Sequence, residues 1–186
     1  MKIEVTQLAV PGAMVIRPGR HGDARGYFSE LFNQARYAEH GIDFNPVQEN
    51  LAFSAEPNIV RGLHAQPPPV AQAKLVRAAR GRIFDVVVDA REGSPAFGQW
   101  AGAELSAETG DQLFVPAGCL HGYATRTADC EVVYLVDAPY EPKGEINVLW
   151  NDPEIGIDWG LGADEAILSA KDAAGTPWAD FETPFV

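Results

Sequence analysis

Residues 74–89 read KLVRAARGRIFDVVVD, and residues 99–136 continue QWAGAELSAETGDQLFVPAGCLHGYATRTADCEVVYLV. Apolar and β-branched residues cluster here in short runs, over Lys74–Ala78, Arg82–Asp89, Gln99–Leu105, Gln112–Val115, Gly122–Thr125 and Glu131–Val136. Turn formers such as Glu92-Gly93 and Thr109-Gly110 separate them. Many short strands at short spacing predict a β-sandwich or barrel. Val86-Val87-Val88 breaks the alternation of a half-buried strand, so that strand is expected to be covered on both faces.

Outward from this stretch the pattern persists. Ile3–Ala9, Met14–Ile16, Tyr27–Phe32 and Gln48–Phe53 read as further strands, with a polar loop from Arg17 to Gly26. Asn33 to His40 reads as a helix, capped by Asn33 and stopped at Gly41. From Leu149 the chain is rich in Pro, Gly and Asp. There we expect ordered coil with short helical turns, anchored by Trp150, Ile155, Ile157, Trp159 and Trp178. The length of 186 residues, with 46% hydrophobic residues and no linker or repeat, predicts one domain over 1–186.

The net charge of −12 argues against nucleic-acid and anionic-membrane partners, which need a basic face. That charge is uneven. Acids and bases nearly balance through Glu92, whereas the rest of the chain carries 3 Lys/Arg against 16 Asp/Glu. A small anionic ligand therefore has its basic partners mainly in the first half. Met1 to Val10 alternates polar and apolar residues, unlike the apolar block of a signal peptide. No run reaches the roughly 18 apolar residues of a membrane span. These features and two cysteines, Cys119 and Cys130, predict a cytoplasmic protein with reduced thiols.

Two stretches can carry chemistry. Arg61-Gly62-Leu63-His64-Ala65-Gln66 holds a histidine, the side chain best suited to moving a proton near neutral pH. On a strand, His64 would share a face with Gly62 and Gln66 and oppose Leu63. Taken alone, such a histidine is more often structural. Pro116-Ala117-Gly118-Cys119-Leu120-His121 fits the P-x-G-x-x-H pattern and resembles the second motif of the cupin superfamily. Metal-binding cupins add H-x-H in a first motif, whereas His64-Ala65-Gln66 offers one histidine. Three convergent ligands cannot be assembled, so no metal is expected. A G-x-G-x-x-G after a strand is also missing, and no nicotinamide cofactor is expected.

The resemblance sharpens when the motifs are taken in order. Asp23-Ala24-Arg25-Gly26-Tyr27-Phe28, Gln48-Glu49-Asn50, Arg61-Gly62-Leu63-His64, Gln72-Ala73-Lys74-Leu75-Val76-Arg77, Phe84-Asp85-Val86, Ser94-Pro95-Ala96-Phe97-Gly98, Pro116-Ala117-Gly118, His121-Gly122-Tyr123, Tyr134, Tyr140, Leu149-Trp150-Asn151-Asp152 and Leu168-Ser169-Ala170-Lys171-Asp172-Ala173 together resemble the dTDP-4-dehydrorhamnose 3,5-epimerase family. The match runs roughly from Val5 to Ala174. It implies an all-β, cupin-like double-stranded β-helix or jelly-roll barrel with a few short helices. It implies a homodimer and a cofactor-independent epimerase that inverts C3 and C5 of a dTDP-4-keto-6-deoxy sugar.

The same resemblance implies the roles. His64 is the base, oriented by Asp172. Lys74 stabilises the enolate and Tyr134 is the acid on the opposite face of the sugar. Arg25 and Arg61 bind the diphosphate. Phe28, Glu30, Gln48 and Asn50 contact the nucleotide, while His121 and Tyr140 line the pocket. Read without the family, Asp172 closes a capping box with Ser169, and the aspartate is expected to serve only one of the two roles at a time. Leu135 after Tyr134, where relatives usually carry Lys, and the run Pro67-Pro68-Pro69 depart from the pattern. A single-centre epimerase or a 3,4-ketoisomerase is the alternative on the same fold. A metal-dependent oxygenase and a non-enzymatic binding protein are more distant rivals.

Overall fold

The computed structural model describes residues 2–142 and 144–186. Thirteen strands are formed: β1 (Ile3–Gln7), β2 (Met14–Pro18), β3 (Arg20–Asp23), β4 (Gly26–Ser29), β5 (Gln48–Ser54), β6 (Val60–Ala65), β7 (Lys74–Arg80), β8 (Arg82–Asp89), β9 (Trp100–Ser106), β10 (Gln112–Val115), β11 (Cys119–Thr125), β12 (Cys130–Val136) and β13 (Ile146–Asn147). The helices are short, α1 (Gln34–Ala38) and α2 (Ala170–Ala173), with a 3-10 turn at Trp178–Asp180. Asn33 caps α1 as expected, its side chain accepting from the Arg36 amide.

Two antiparallel sheets build the barrel, one ordered β1-β2-β10-β7-β12-β5 and the other β13-β6-β11-β8-β9. Between them lie Val76, Leu113 and Val132 from the first sheet and Ile83, Val87 and Leu105 from the second. The outer face of the second sheet carries Leu63, Val86, Val88 and Leu120. The tail covers it with Trp150, Ile155 and Trp159. On the first sheet, Ile16, Leu75 and Phe114 pack outward under Tyr37, Ile42 and Phe44, near α1. Val87 thus faces inward while Val86 and Val88 face the tail, which is why the valine run has no polar side. Both cysteines are free and buried.

One segment departs from expectation. The stretch from Arg17 to Gly26 is not a loop: β2 continues to Pro18, and Arg20 pairs with Ser29 in the β3–β4 hairpin. The hairpin is mostly exposed on both faces, so it lacks the apolar alternation by which a strand announces itself.

A second departure positions chemistry. In the β6–β11 ladder His64 pairs with His121, but Arg61 pairs with Tyr123, so three residues of β6 span two of β11. This bulge turns Arg61, and not Gly62, to the side of His64. Gly62 fills the slip with φ +132°, and a Cβ there would lie 2.6 Å from the Gly122 Cα and 2.9 Å from the His121 carbonyl oxygen. Both obstacles are backbone. Gly62→Ala is therefore expected to cost more than about 2 kcal/mol, read as a clear drop in thermal midpoint. An unchanged midpoint would mean that the ladder yields easily.

Candidate active site

A cleft of about 490 Å³ opens between the sheets. β6 brings Arg61 and His64 to it, β11 brings His121 and Tyr123, and β7 brings Lys74. Gln48 and Asn50 enter from β5, Tyr134 from β12, and Ser169, Lys171 and Asp172 from α2 and its cap. His64 and Tyr134 therefore stand on opposite sheets and face one space.

Asp172 approaches His64 with Oδ1 2.6 Å from Nε2. The approach is bent away from the ring N–H axis, so it is a close polar contact short of a well-aligned hydrogen bond. The Gly62 amide donates to the same oxygen at 3.4 Å. Oδ2 accepts from the Ser169 hydroxyl at 2.6 Å, while that hydroxyl accepts from the Asp172 amide at 3.1 Å. The helix cap and the histidine contact thus coexist, because each carboxylate oxygen serves one of them. Burial acts against the charge on Asp172, but His64 and Ser169 outweigh it and its pKa is lowered. A carboxylate at Nε2 favours the tautomer protonated there and leaves Nδ1 as the basic nitrogen.

Lys74 begins β7. Burial pushes its pKa down to about 8, against the opposing pull of Glu145 and Asp85. Burial also raises the pKa of Tyr134, Glu145 adds to the rise, and Arg61 opposes it. Tyr134 is therefore a phenol, able to donate, throughout the neutral range. Arg61 is braced by the Ser54 hydroxyl at 3.3 Å and the Phe53 carbonyl at 3.0 Å. His121 Nε2 lies 2.7 Å from Oδ1 of Asp85, whose side chain is wholly buried. This second His–Asp pair, directly across the ladder from His64, was not anticipated.

Nor were Glu145 and Lys171. Lys171 Nζ lies 2.5 Å from Glu145 Oε2, which also accepts from the Tyr140 hydroxyl at 3.0 Å. Burial opposes the charge on Glu145, yet Lys171 and Tyr140 lower its pKa on balance. Lys171 is one of only three Lys or Arg residues after Gly93. Its place beside Asp172 was the only hint in the sequence.

Three anticipated residues do not line the cleft. Arg25 sits at the tip of the β3–β4 hairpin, paired with Asp23 at 2.5 Å. Phe28 on β4 is 68% exposed. Glu30 holds Arg36 at 2.8 Å. Among the described residues, no group of three His, Cys, Asp or Glu side chains is placed to hold a metal ion.

The family model for dTDP-4-dehydrorhamnose 3,5-epimerase matches residues 7–180. This chain belongs to the dTDP-4-dehydrorhamnose 3,5-epimerase family. It is thus a nucleotide-sugar epimerase, an isomerase of the cupin-like all-β class. The dTDP-4-dehydrorhamnose 3,5-epimerase of Sinorhizobium fredii is 47% identical over 167 residues, covering 90% of this chain and 85% of that one. The crystal structure of dTDP-6-deoxy-D-glucose-3,5-epimerase from Legionella pneumophila, in complex with dTDP-4-keto-L-rhamnose, matches with a TM-score of 0.92 and 36% identity. It covers 100% of this chain and 97% of that one. ChmJ, a 3'-monoepimerase from Streptomyces bikiniensis in complex with dTDP-quinovose, matches with a TM-score of 0.84 and 35% identity, covering 92% of this chain and 86% of that one. The epimerase fold therefore carries both two-centre and one-centre chemistry.

Proposed function

We propose that this epimerase inverts C3 and C5 of a dTDP-4-keto-6-deoxy sugar through an enolate, with His64 as base and Tyr134 as acid. The placement of His64–Asp172 and Tyr134 on opposite sheets of one cleft, with Lys74 beside them, carries this reading. The C4 carbonyl acidifies the hydrogens on C3 and C5. Nδ1 of His64 takes one of them, and the C–H electron pair moves into the ring as the carbonyl becomes an enolate. The Lys74 ammonium stabilises the new charge on the C4 oxygen. The Tyr134 hydroxyl returns a proton to the same carbon from the other face, and water restores both groups. Repetition at the second carbon completes the reaction with no net redox change and so no demand for a cofactor. Arg61 and His121 supply donors for the diphosphate.

Proton NMR of dTDP-4-keto-6-deoxyglucose with the protein in deuterium oxide separates the two family chemistries. Deuterium at both C3 and C5 is expected. Deuterium at C3 alone would make the protein a single-centre enzyme, which the likeness to ChmJ keeps in view.

The working unit in this reading is a homodimer, each chain folding as one domain. Tyr27 and Phe28 are exposed on the hairpin that also carries Arg25, and Leu51 and Phe53 are exposed on β5, the edge strand of its sheet. Apolar rows at a free edge call for cover. A second copy provides it, and the hairpin then delivers Arg25, Phe28 and Glu30 to the nucleotide in the partner's cleft. This arrangement has a direct test. Mixing inactive Arg25→Ala and His64→Ala proteins under exchange should restore activity, because a mixed dimer holds one site with both residues intact. If the mixture stays inactive although mixed dimers form, the hairpin does not act across the interface. Two buried free thiols suit a reducing compartment, and we place the enzyme in the cytoplasm.

A further inference from the structure

The segment 137–142 leaves β12 and crosses towards β13 without forming helix or strand. It carries Tyr140, which lines the cleft although 52% exposed. A backbone of this kind should be mobile, since no ladder holds it. Its polar groups are nonetheless taken one after another by side-chain amides. The Gln72 amide donates to the Ala138 carbonyl at 2.8 Å. Gln66 Nε2 donates to the Pro139 carbonyl at 3.0 Å, and its Oε1 accepts from the Glu141 amide at 2.8 Å. Gln48 Oε1 accepts from the Tyr140 amide at 3.0 Å.

Gln66 is the centre of this arrangement. It is only 4% exposed, and its Nε2 also donates to the Val70 carbonyl at 2.5 Å. One buried amide therefore ties the loop after β6 to the segment after β12, with both hydrogens and the carbonyl oxygen engaged. Gln66 is two residues beyond His64 on the same run of chain. Such complete satisfaction of a buried amide specifies a single position for what it holds.

We propose that Gln66 is a positioning residue that pins the strap 137–142 as a preformed wall of the cleft and so fixes Tyr140 against the nucleotide sugar before it binds. The proposal rests on the reading of Tyr140 as a substrate contact. Its effect falls on binding: a strap already ordered does not have to be ordered by the ligand. The chemistry at His64, Lys74 and Tyr134 does not pass through it.

The test uses the full chain with two substitutions. Gln66→Glu preserves volume and the acceptor for the Glu141 amide, but sets a carboxylate oxygen against the Val70 and Pro139 carbonyls. Gln66→Leu removes all the amide's bonds. In both, KM for dTDP-4-keto-6-deoxyglucose is expected to rise about tenfold with kcat within about threefold of the parent. Hydrogen–deuterium exchange should accelerate in the peptide spanning 137–142 and stay unchanged in the barrel strands. If exchange in that peptide is unchanged in Gln66→Glu, or if kcat falls as far as KM rises, the proposal is overturned. Should Gln66→Leu fail to fold, the isosteric Gln66→Glu still decides. A parent protein inactive on this sugar would sink the reaction assigned above. The exchange difference, with dTDP affinity in place of KM, would then still judge the strap.

Discussion

His64→Ala is expected to lower kcat by roughly a thousandfold while leaving dTDP affinity within about threefold of the parent. The reasoning starts from placement. His64 lines the cleft with Nε2 engaged by Asp172 at 2.6 Å, so Nδ1 is the basic nitrogen in this reading. Among the cleft-lining groups, the second imidazole, His121, is tied through Nε2 to the buried Asp85 at 2.7 Å, and Glu145 is engaged by Lys171 and Tyr140. His121 has an orienting carboxylate of its own, but its side chain is only 9% exposed against 22% for His64, so His64 is the imidazole more open to a ligand. Loss of the base should therefore remove carbon–hydrogen cleavage and spare nucleotide binding, which other side chains perform. Steady-state kinetics and dTDP titration check the two halves of the statement. A kcat within tenfold of the parent would move the base elsewhere.

The second large effect belongs to Lys74. Lys74→Met, which keeps length and removes charge, is expected to lower kcat by about a hundredfold to a thousandfold, the usual cost of losing a fixed group at a developing oxyanion. Lys74 also sets a pH limit. Only its protonated form can stabilise an enolate, and burial brings its pKa down to about 8. Activity should thus be lost as pH rises. The free enzyme's kcat/KM is expected to fall through pH about 8, by about tenfold per unit beyond it. Tyr134, whose pKa is raised by burial and by Glu145, loses its proton later and does not cause this limb. Lys74→Arg should retain charge and shift the alkaline fall upward. A flat profile through pH 10 in the parent would show that Lys74 charge is not required.

Much of the fold is legible because its strands bury one face or both. Arg82–Asp89 and Gln112–Val115 appear with the very bounds that their apolar runs suggest. The β3–β4 hairpin is hidden because its residues stay mostly exposed, leaving no periodic signal. The bulge between Arg61 and His64 is equally invisible, since a register slip arises from the pairing of two strands and neither strand alone encodes it. Its consequence matters for the site, because alternation on an even strand would have sent Arg61 away from His64.

The candidate site divides in a similar way. His64, Lys74, His121 and Tyr134 sit on strands at the barrel core, where motif spacing maps onto position. Glu145 lies just before a two-residue strand and Lys171 in a four-residue helix, and their approach to the cleft depends on the path of the tail. Asp172 looked like a choice between cap and catalytic partner. The two oxygens of its carboxylate remove the choice. Arg25, Phe28 and Glu30 illustrate another gap: a sequence does not say whether a residue serves its own chain's cleft or a partner's.

Tyr134→Phe in deuterium oxide tests the two-sided chemistry most directly. If His64 takes the proton from one face and Tyr134 returns it to the other, the variant should still exchange C3 hydrogen into unreacted dTDP-4-keto-6-deoxyglucose, because His64 can redeliver deuterium to the face it came from. Inversion should fall by at least about a hundredfold. Proton NMR would then show deuterium entering the starting sugar with little epimer formed. Inversion at the parent rate would contradict the assignment of Tyr134 as the acid, and the proton donor would have to be sought on another wall of the cleft.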